Sequence, residues 1–348
     1  MAGTGMSVGA LGALRTAGRR VLAAGPTVQA ARNVGGATLH SLFGIHQPEA
    51  FSDPPPPRLV LALARRVDAL LVDEVFLCTE WMLAALLALR RLGVALLLAG
   101  DPDQLPPVQS AMPAPRELAR SALMHELVDG RVCALECPRR SRPLSGAPSV
   151  FALCAELLAA PCDRAANARF VAQFRHDRES PWPERNLAYL NATCLAVNTA
   201  LARRRARGRR WLALVPEGPA VLAGAWALRR ALAAHGDGLA LLPTGAPLVA
   251  RSSAFFPRGS RVRLAALDEA ASVEGPGGAK RVPLADLGAA FELGFCTTIH
   301  RAQCATIDEP YALHDVPLLL RMPPAAARPL LYVACSRATG AQLVRIVA

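Results

Sequence analysis

The chain has 348 residues, 52% of them hydrophobic, and a mean hydropathy of +0.26. That excludes a disordered polyelectrolyte and leaves room for two or more compact domains. Its net charge of +12 and pI near 10.1 come almost entirely from arginine, in blocks such as Arg139-Arg140 and Arg203-Arg204-Arg205. Such blocks suit polyanions, nucleic acid first, with a general drift towards Ala, Arg and Pro as the plainer source. The most apolar run, Leu83–Ala99, is broken by Arg90 and Arg91, and the first residues lack a basic-then-apolar leader, so a soluble intracellular protein with no membrane span is expected. Nine cysteines are scattered without a CxxC pair, which reads as reduced buried thiols rather than a zinc centre.

In chain order, Gly3-Thr4-Gly5-Met6-Ser7 has the cadence of the end of a phosphate-binding loop, G-x-x-x-x-G-K-[ST], with Met6 where the lysine belongs. Arg20–Ala24 is a short apolar run stopped by Gly25-Pro26 and predicts a buried strand. Asp53-Pro54-Pro55-Pro56-Pro57 predicts a stiff loop tip. Ala69–Val72 predicts a second strand, delivering Asp73 and Glu74 at its end. A helix follows Thr79 and stops at Gly93, and Val94–Ala99 is a third strand closed by Gly100-Asp101-Pro102. Strand alternating with helix implies parallel pairing in an α/β domain, with ligands at the carboxyl ends of the strands. Residues 137–147 look like a domain connection, and 201–289 like a small β-rich module inserted in a larger unit. Leu330–Val333 and Gln342–Val347 predict closing strands.

Two adjacent carboxylates at a strand end suit a nucleotide hydrolase, where the first holds Mg²⁺ and the second polarises the attacking water. One helix and one strand later comes Gly100-Asp101-Pro102-Asp103-Gln104, whose amide can bond a terminal phosphate with either end. These stretches resemble motifs II and III of superfamily 1 DNA helicases, specifically the PIF (petite integration frequency) and RecD-like group. Gly25–Asn33 with Thr38–Ile45 resembles motif Ia, and Leu135–Ser141 motif IV. Cys296–Asp308 resembles motif V and Tyr332–Ala338 motif VI.

The resemblance implies an α/β fold: two RecA-like P-loop NTPase domains, with a small β-rich, SH3-like insertion in the second. Residues 1–130 would form domain 1A, with a small 1B-like insertion near 46–58. Residues 131–200 and 290–348 would form domain 2A, and 201–289 the inserted 2B-like domain. It implies ATP and Mg²⁺ as cofactors. Nucleotide contacts fall on Gly3, Thr4, Gly5, Met6, Ser7, Asp73, Asp101 and Gln303, with Ser7 and Asp73 on the metal. Catalysis falls on Glu74, Gln104 and two cationic residues, Arg140 and Arg337, that neutralise charge on the transferred phosphoryl group. Strand binding falls on Thr27 and Ser41 for phosphates, His40, Phe43 and His300 for stacking on bases, Arg301 for a salt-sensitive phosphate contact, and Thr298 beside them.

The expected activity is ATP-driven 5′ to 3′ translocation on single-stranded DNA and unwinding at duplex junctions, by a monomer, in replication, repair or recombination. Besides Met6, Val28 and Cys304 stand where the group has glycine, and Ser141 where it has glutamine. The first loop glycine, counted back from Gly5, falls one place before Met1, and the strand feeding the loop has no counterpart in the sequence. A thioether at Met6 neither donates a hydrogen bond nor carries charge, so hydrolysis is expected to be impaired while binding through Ser7 and loop amides persists. An ATPase-defective nucleic-acid-binding relative, or part of a longer helicase, are the alternatives.

Overall fold

The computed structural model describes residues 6–45, 54–107, 113–134, 149–177, 182–215, 218–235 and 239–347. The chain forms two compact units. The first takes Met1–Gln173, Gln303–Asp308 and Leu320–Ala341; the second takes Phe174–Ala302, Glu309–Leu319 and Gln342–Ala348.

The first unit is built on four parallel strands: β1 (Val21–Gly25), β2 (Ala37–Thr38), β3 (Ala69–Val72) and β4 (Ala95–Leu98), in the order β2-β1-β3-β4. A parallel sheet needs cover on both faces, and β3 shows why its sequence is an unbroken apolar run. Leu70 and Val72 point into a large core with Phe43, Trp81 and Leu86. Ala69 and Leu71 point the other way, against Leu11, Val21 and Val34. Full burial of a leucine contributes about 1.5–3 kcal/mol. The helix Glu80–Arg91 lies on the larger face and ends at Gly93, whose φ of +91° is a left-handed stop. Strand β4 is the sheet edge among the described residues, and its Leu96, Leu97 and Leu98 are only half-buried.

Two expectations are corrected in this unit. Leu330–Val333 is not a strand but lies inside the helix Pro324–Ser336. An apolar run of that length does not by itself distinguish strand from buried helix, and Pro324, at the first helical position, sets the helical φ. Likewise Pro57 does not end a loop tip but opens the helix Pro57–Arg66. The helix Pro324–Ser336 packs on Val150–Ala159 and Arg164–Val171. Its buried Arg328 is tied down by donating to Asn167 Oδ1 at 3.2 Å and the Ala160 carbonyl at 2.7 Å.

The second unit holds a five-stranded parallel sheet and two antiparallel sheets. Its strands are β5 (Arg175–Asp177), β6 (Arg185–Ala188), β7 (Arg210–Val215), β8 (Gly218–Ala223), β9 (Ala240–Pro243), β10 (Pro247–Ala250), β11 (Arg261–Leu267), β12 (Ala270–Gly275), β13 (Gly278–Pro283), β14 (Phe291–Leu293), β15 (Cys296–Thr298), β16 (Tyr311–Leu313) and β17 (Val344–Val347). The parallel order is β15-β6-β16-β17-β5; the antiparallel orders are β8-β7-β9 and β13-β12-β11-β10-β14. The β-rich stretch also contains the helix Gly224–His235.

The helix Asn191–Ala206 covers the parallel sheet through Val197 and Leu201. Its start is held by Asp315, whose carboxylate accepts from Tyr189 N and Leu190 N at 3.0 Å and from Thr193 Oγ1 at 2.8 Å. Among the described residues no helix is long and apolar enough to cross a membrane.

Candidate nucleotide and nucleic-acid sites

The carboxyl end of β3 turns sharply. Asp73 continues the sheet by donating its N–H to the Ala24 carbonyl at 3.0 Å, and Glu74 then adopts a left-handed φ of +56°. For a side chain with a Cβ that conformation costs about 1–2 kcal/mol, a strain that persists only where surrounding contacts hold it. The next strand end reaches the same place. Gly100 is required there, because a Cβ would meet Phe76 Cδ2 at 2.9 Å and Val75 N at 3.2 Å. Asp101 and Gln104 follow, both buried.

Segments remote in sequence complete the cluster. Gln303 Nε2 donates to Gln104 Oε1 at 3.2 Å. Tyr332 Oη donates to Asp101 Oδ2 at 2.6 Å, while Asp103 N donates to Asp101 Oδ1 at 3.1 Å. Cys304 hydrogen-bonds through its thiol to Glu74, and its carbonyl accepts from Asn33 Nδ2 at 2.9 Å. Arg337 is wholly buried; its Nε donates to the Val333 carbonyl at 3.1 Å and its Nη2 to Ser336 Oγ at 3.0 Å. Its Nη1 is buried with no hydrogen-bond partner among the described residues.

Burial pushes the Glu74 carboxyl above its ordinary range, the Arg337 guanidinium opposes that, and Asp73 and Asp101 add to it. Burial and the neighbouring Asp101 likewise raise the Tyr332 phenol, which stays a donor. An acidic pair and, within electrostatic reach of Glu74, a buried guanidinium with an orphaned N–H fit a ligand bearing both a divalent cation and anionic oxygens. ATP with Mg²⁺ is such a ligand: Asp73 could supply a hard oxygen donor to the metal, and Arg337 Nη1 a donor to a phosphate.

The first unit thus brings together Glu74, Asp101, Gln104, Gln303 and Arg337, with Asp73 next to Glu74 in the chain. Gly3, Thr4, Gly5 and Arg140 lie outside the described residues, and only the backbone of Met6 and Ser7 is described, in the first turn of the helix Met6–Thr16. Cys304 and Tyr332 stood in the motifs without an assigned role. For Cys304 the signal was its place where the group has glycine, and the structure gives it a φ of +69°. Nothing in the sequence marked Tyr332.

The strand-binding candidates divide between the units. In the first, Thr27 is exposed and caps the helix Val28–Asn33 by accepting from Ala30 N at 3.1 Å. Ser41 is exposed, and His40 is half-buried, edge-on to Trp81 with ring centroids 5.2 Å apart. Phe43 corrects the expectation of a base-stacking face. It is fully buried, edge-on to Trp81 at 6.2 Å, because the short helix Leu39–Leu42 turns it into the core.

In the second unit, β15 delivers Thr298, buried, whose Oγ1 accepts from Arg301 N at 3.2 Å. His300 is half-buried with its ring 6.2 Å from that of Tyr189, and burial lowers its pKa. The Arg301 side chain is 60% exposed and pairs with Glu292 at 2.6 Å.

Residues 1–129 match the family described as AAA domain. No curated protein sequence matches the chain. Among solved structures, it is similar to Bacteroides Pif1 bound to single-stranded DNA, at 19% identity and TM-score 0.62, over 100% of this chain and 87% of that one. The Pif1 helicase from Candida albicans aligns at 17% identity and TM-score 0.63, over 99% and 88% of the two chains. Bacteroides Pif1 in complex with ADP-AlF3 and single-stranded DNA aligns at 18% identity and TM-score 0.62, over 100% and 87%. Residues 1–129 are therefore matched by the AAA domain family, and the chain as a whole has the RecA-like α/β fold of Pif1 helicase structures.

Proposed function

We propose that the chain is a Pif1-like helicase: it binds ATP with Mg²⁺ in the first unit and moves 5′ to 3′ along single-stranded DNA, opening duplex junctions in replication, repair or recombination. The observation that carries this reading is the buried Arg337, with an unmet Nη1 donor, in the same cluster as Glu74 and Asp101. When bound, the nucleotide and its metal supply the phosphoryl group to be transferred. Asp73 would hold the metal, and Glu74 would orient the attacking water and take up its proton. Gln104, placed by Gln303, would bond the terminal phosphate, and Arg337 would neutralise charge on it. Thr27, His40 and Ser41 in one unit and Thr298, His300 and Arg301 in the other contact the strand.

The domain assignment that goes with this reading is 1–130 for domain 1A, 131–200 with 290–348 for domain 2A, and 201–289 for an SH3-like 2B insertion. Arg140 supplies a second cation, and the working form is a monomer. The test is DNA-stimulated ATP turnover and strand separation by the wild type against Glu74→Gln. Turnover lost in the variant supports the motor; equal turnover in both refutes it.

A second reading, an ATPase-defective nucleic-acid-binding relative, is favoured by Met6 in the position of the loop lysine. It expects salt-sensitive DNA binding with no turnover in either protein, and Met6→Lys then distinguishes a site lacking only its lysine from one lacking more.

A further inference from the structure

The second unit gathers guanidinium groups away from Thr298, His300 and Arg301. The turn between β9 and β10 places Gly245 at a φ of +76°, and its carbonyl accepts from Arg263 Nη1 at 2.7 Å and from Arg205 Nη1. Arg209 converges on the same point: a Cβ on Gly245 would lie 2.5 Å from its Nη1 and 2.9 Å from Arg205 Nη1. Two residues along β11, Arg261 shares that strand's outward face with Arg263 and pairs with Glu309, which also lies 3.6 Å from Arg185 Nη1. Glu184 is shared in the same way between Arg205 and Arg263. Arg205 also stacks over the Phe295 ring at 5.6 Å, which fixes its plane at the entrance to β15.

Among the described residues, four of the five guanidinium groups therefore share two carboxylates, each carboxylate divided between two arginines. Among the described residues no carboxylate pairs with Arg209, which is exposed, and the Arg263 side chain is 51% exposed. Burial first, and Arg261 beside it, bring Arg185 down to about 10, and burial lowers Arg205 with Arg209 and Arg263 adding to it. Like charges packed this closely cost stability unless an anion shares them; Arg209 and Arg263 present exposed, forked donors that suit successive phosphates, while the Arg185 and Arg205 side chains, 16% exposed, stand behind them and add positive charge.

We propose that Arg205, Arg209 and Arg263 around the Gly245 carbonyl, extended by Arg185 and Arg261, form a further nucleic-acid site on the second unit that takes successive backbone phosphates of single-stranded DNA. This rests on the nucleic-acid reading above and adds a surface to it. Glu184 acts as the built-in competitor, an anion holding two of the arginines in place until a phosphate displaces it.

The test measures affinity of the full chain for a labelled oligothymidylate as a function of salt. Arg209→Gln is expected to reduce the slope of log K against log [salt] by about 0.7, and the double variant Arg209→Gln/Arg263→Gln by about 1.4, as for loss of one and two phosphate contacts. Glu184→Gln is expected to tighten binding, a direction that a misfolded variant does not produce. Arg301→Gln serves as the reference within the other strand-binding set. If the wild type binds and Arg301→Gln lowers the slope while the double variant keeps it at the wild-type value, the further site is refuted and the nucleic-acid reading stands. Glu184→Gln leaving affinity unchanged or weaker also refutes it. A wild type that binds no oligonucleotide overturns both.

Discussion

Cys304 isolates a backbone effect that side-chain contacts cannot mimic. Its φ of +69° is left-handed, its thiol is buried against Glu74, and its carbonyl is held by Asn33. Cys304→Ala and Cys304→Gly both delete the thiol, its hydrogen bond and nearly the same packing, so the difference between them reports the backbone. A left-handed conformation costs alanine about 1–2 kcal/mol. Glycine escapes that cost but loses about 0.5–1 kcal/mol through greater freedom in the unfolded chain. Glycine is therefore expected to be the more stable variant by ~0.5–1 kcal/mol, the reverse of the usual order within regular structure. At about 2–4 °C per kcal/mol for a domain of ~150–250 residues, the melting midpoints should differ by ~1–4 °C. Thermal melts of the two variants at one protein concentration, without nucleotide, decide it. An alanine variant that melts at or above the glycine variant refutes the left-handed assignment.

Tyr332→Phe removes a donor from the buried Asp101 carboxylate and should cost ~1.5–3 kcal/mol, read as a lower urea midpoint. Because the folded phenol titrates above its unfolded value, its contribution is full below about pH 10 and is lost above it, so the variant should show less loss of stability in alkali. Asp315→Ala deletes three bonds to the start of the helix Asn191–Ala206 and should cost ~1–2 kcal/mol, with faster amide exchange concentrated in that helix's first turns. Arg20 holds the Asp68 carboxyl down to about 2, so their pairing is present above pH ~4 and fades as pH falls towards 2. An NMR titration of Asp68 in Arg20→Leu should return it to the ordinary carboxylate range; an unmoved titration contradicts the pairing.

The parallel architecture was legible because its strands are apolar runs ended by sharp punctuation. Ala69–Val72 before Asp73-Glu74, and Val94–Ala99 before Gly100-Asp101, each signal a buried strand whose carboxyl end carries chemistry. Leu330–Val333 was misread because four consecutive apolar residues suit a helix buried all round as well as a strand; Pro324 at the helix start and the packing on Val150–Ala159 distinguish them. Phe43 was misread for a related reason: its polar neighbours His40 and Ser41 suggest a surface, but a single helical turn sends His40 and Phe43 alike against Trp81. The bonds from Tyr332 to Asp101 and from Cys304 to Glu74 join residues far apart in the chain, a pairing that composition and local periodicity do not encode.

Strand β4 has a consequence for how the chain behaves in a tube. Among the described residues it has a neighbouring strand on one side only, and its three leucines are half-buried. Such an edge is a template for another strand, and Ala95–Leu98 itself has neither a charged residue nor a proline. Self-association through it would grow with concentration, not with nucleotide or DNA, and would bury the very surface that makes it grow. Turbidity or slow loss of material on the bench would then be a property of Ala95–Leu98, to be treated with a lysine in that strand and not with a different buffer.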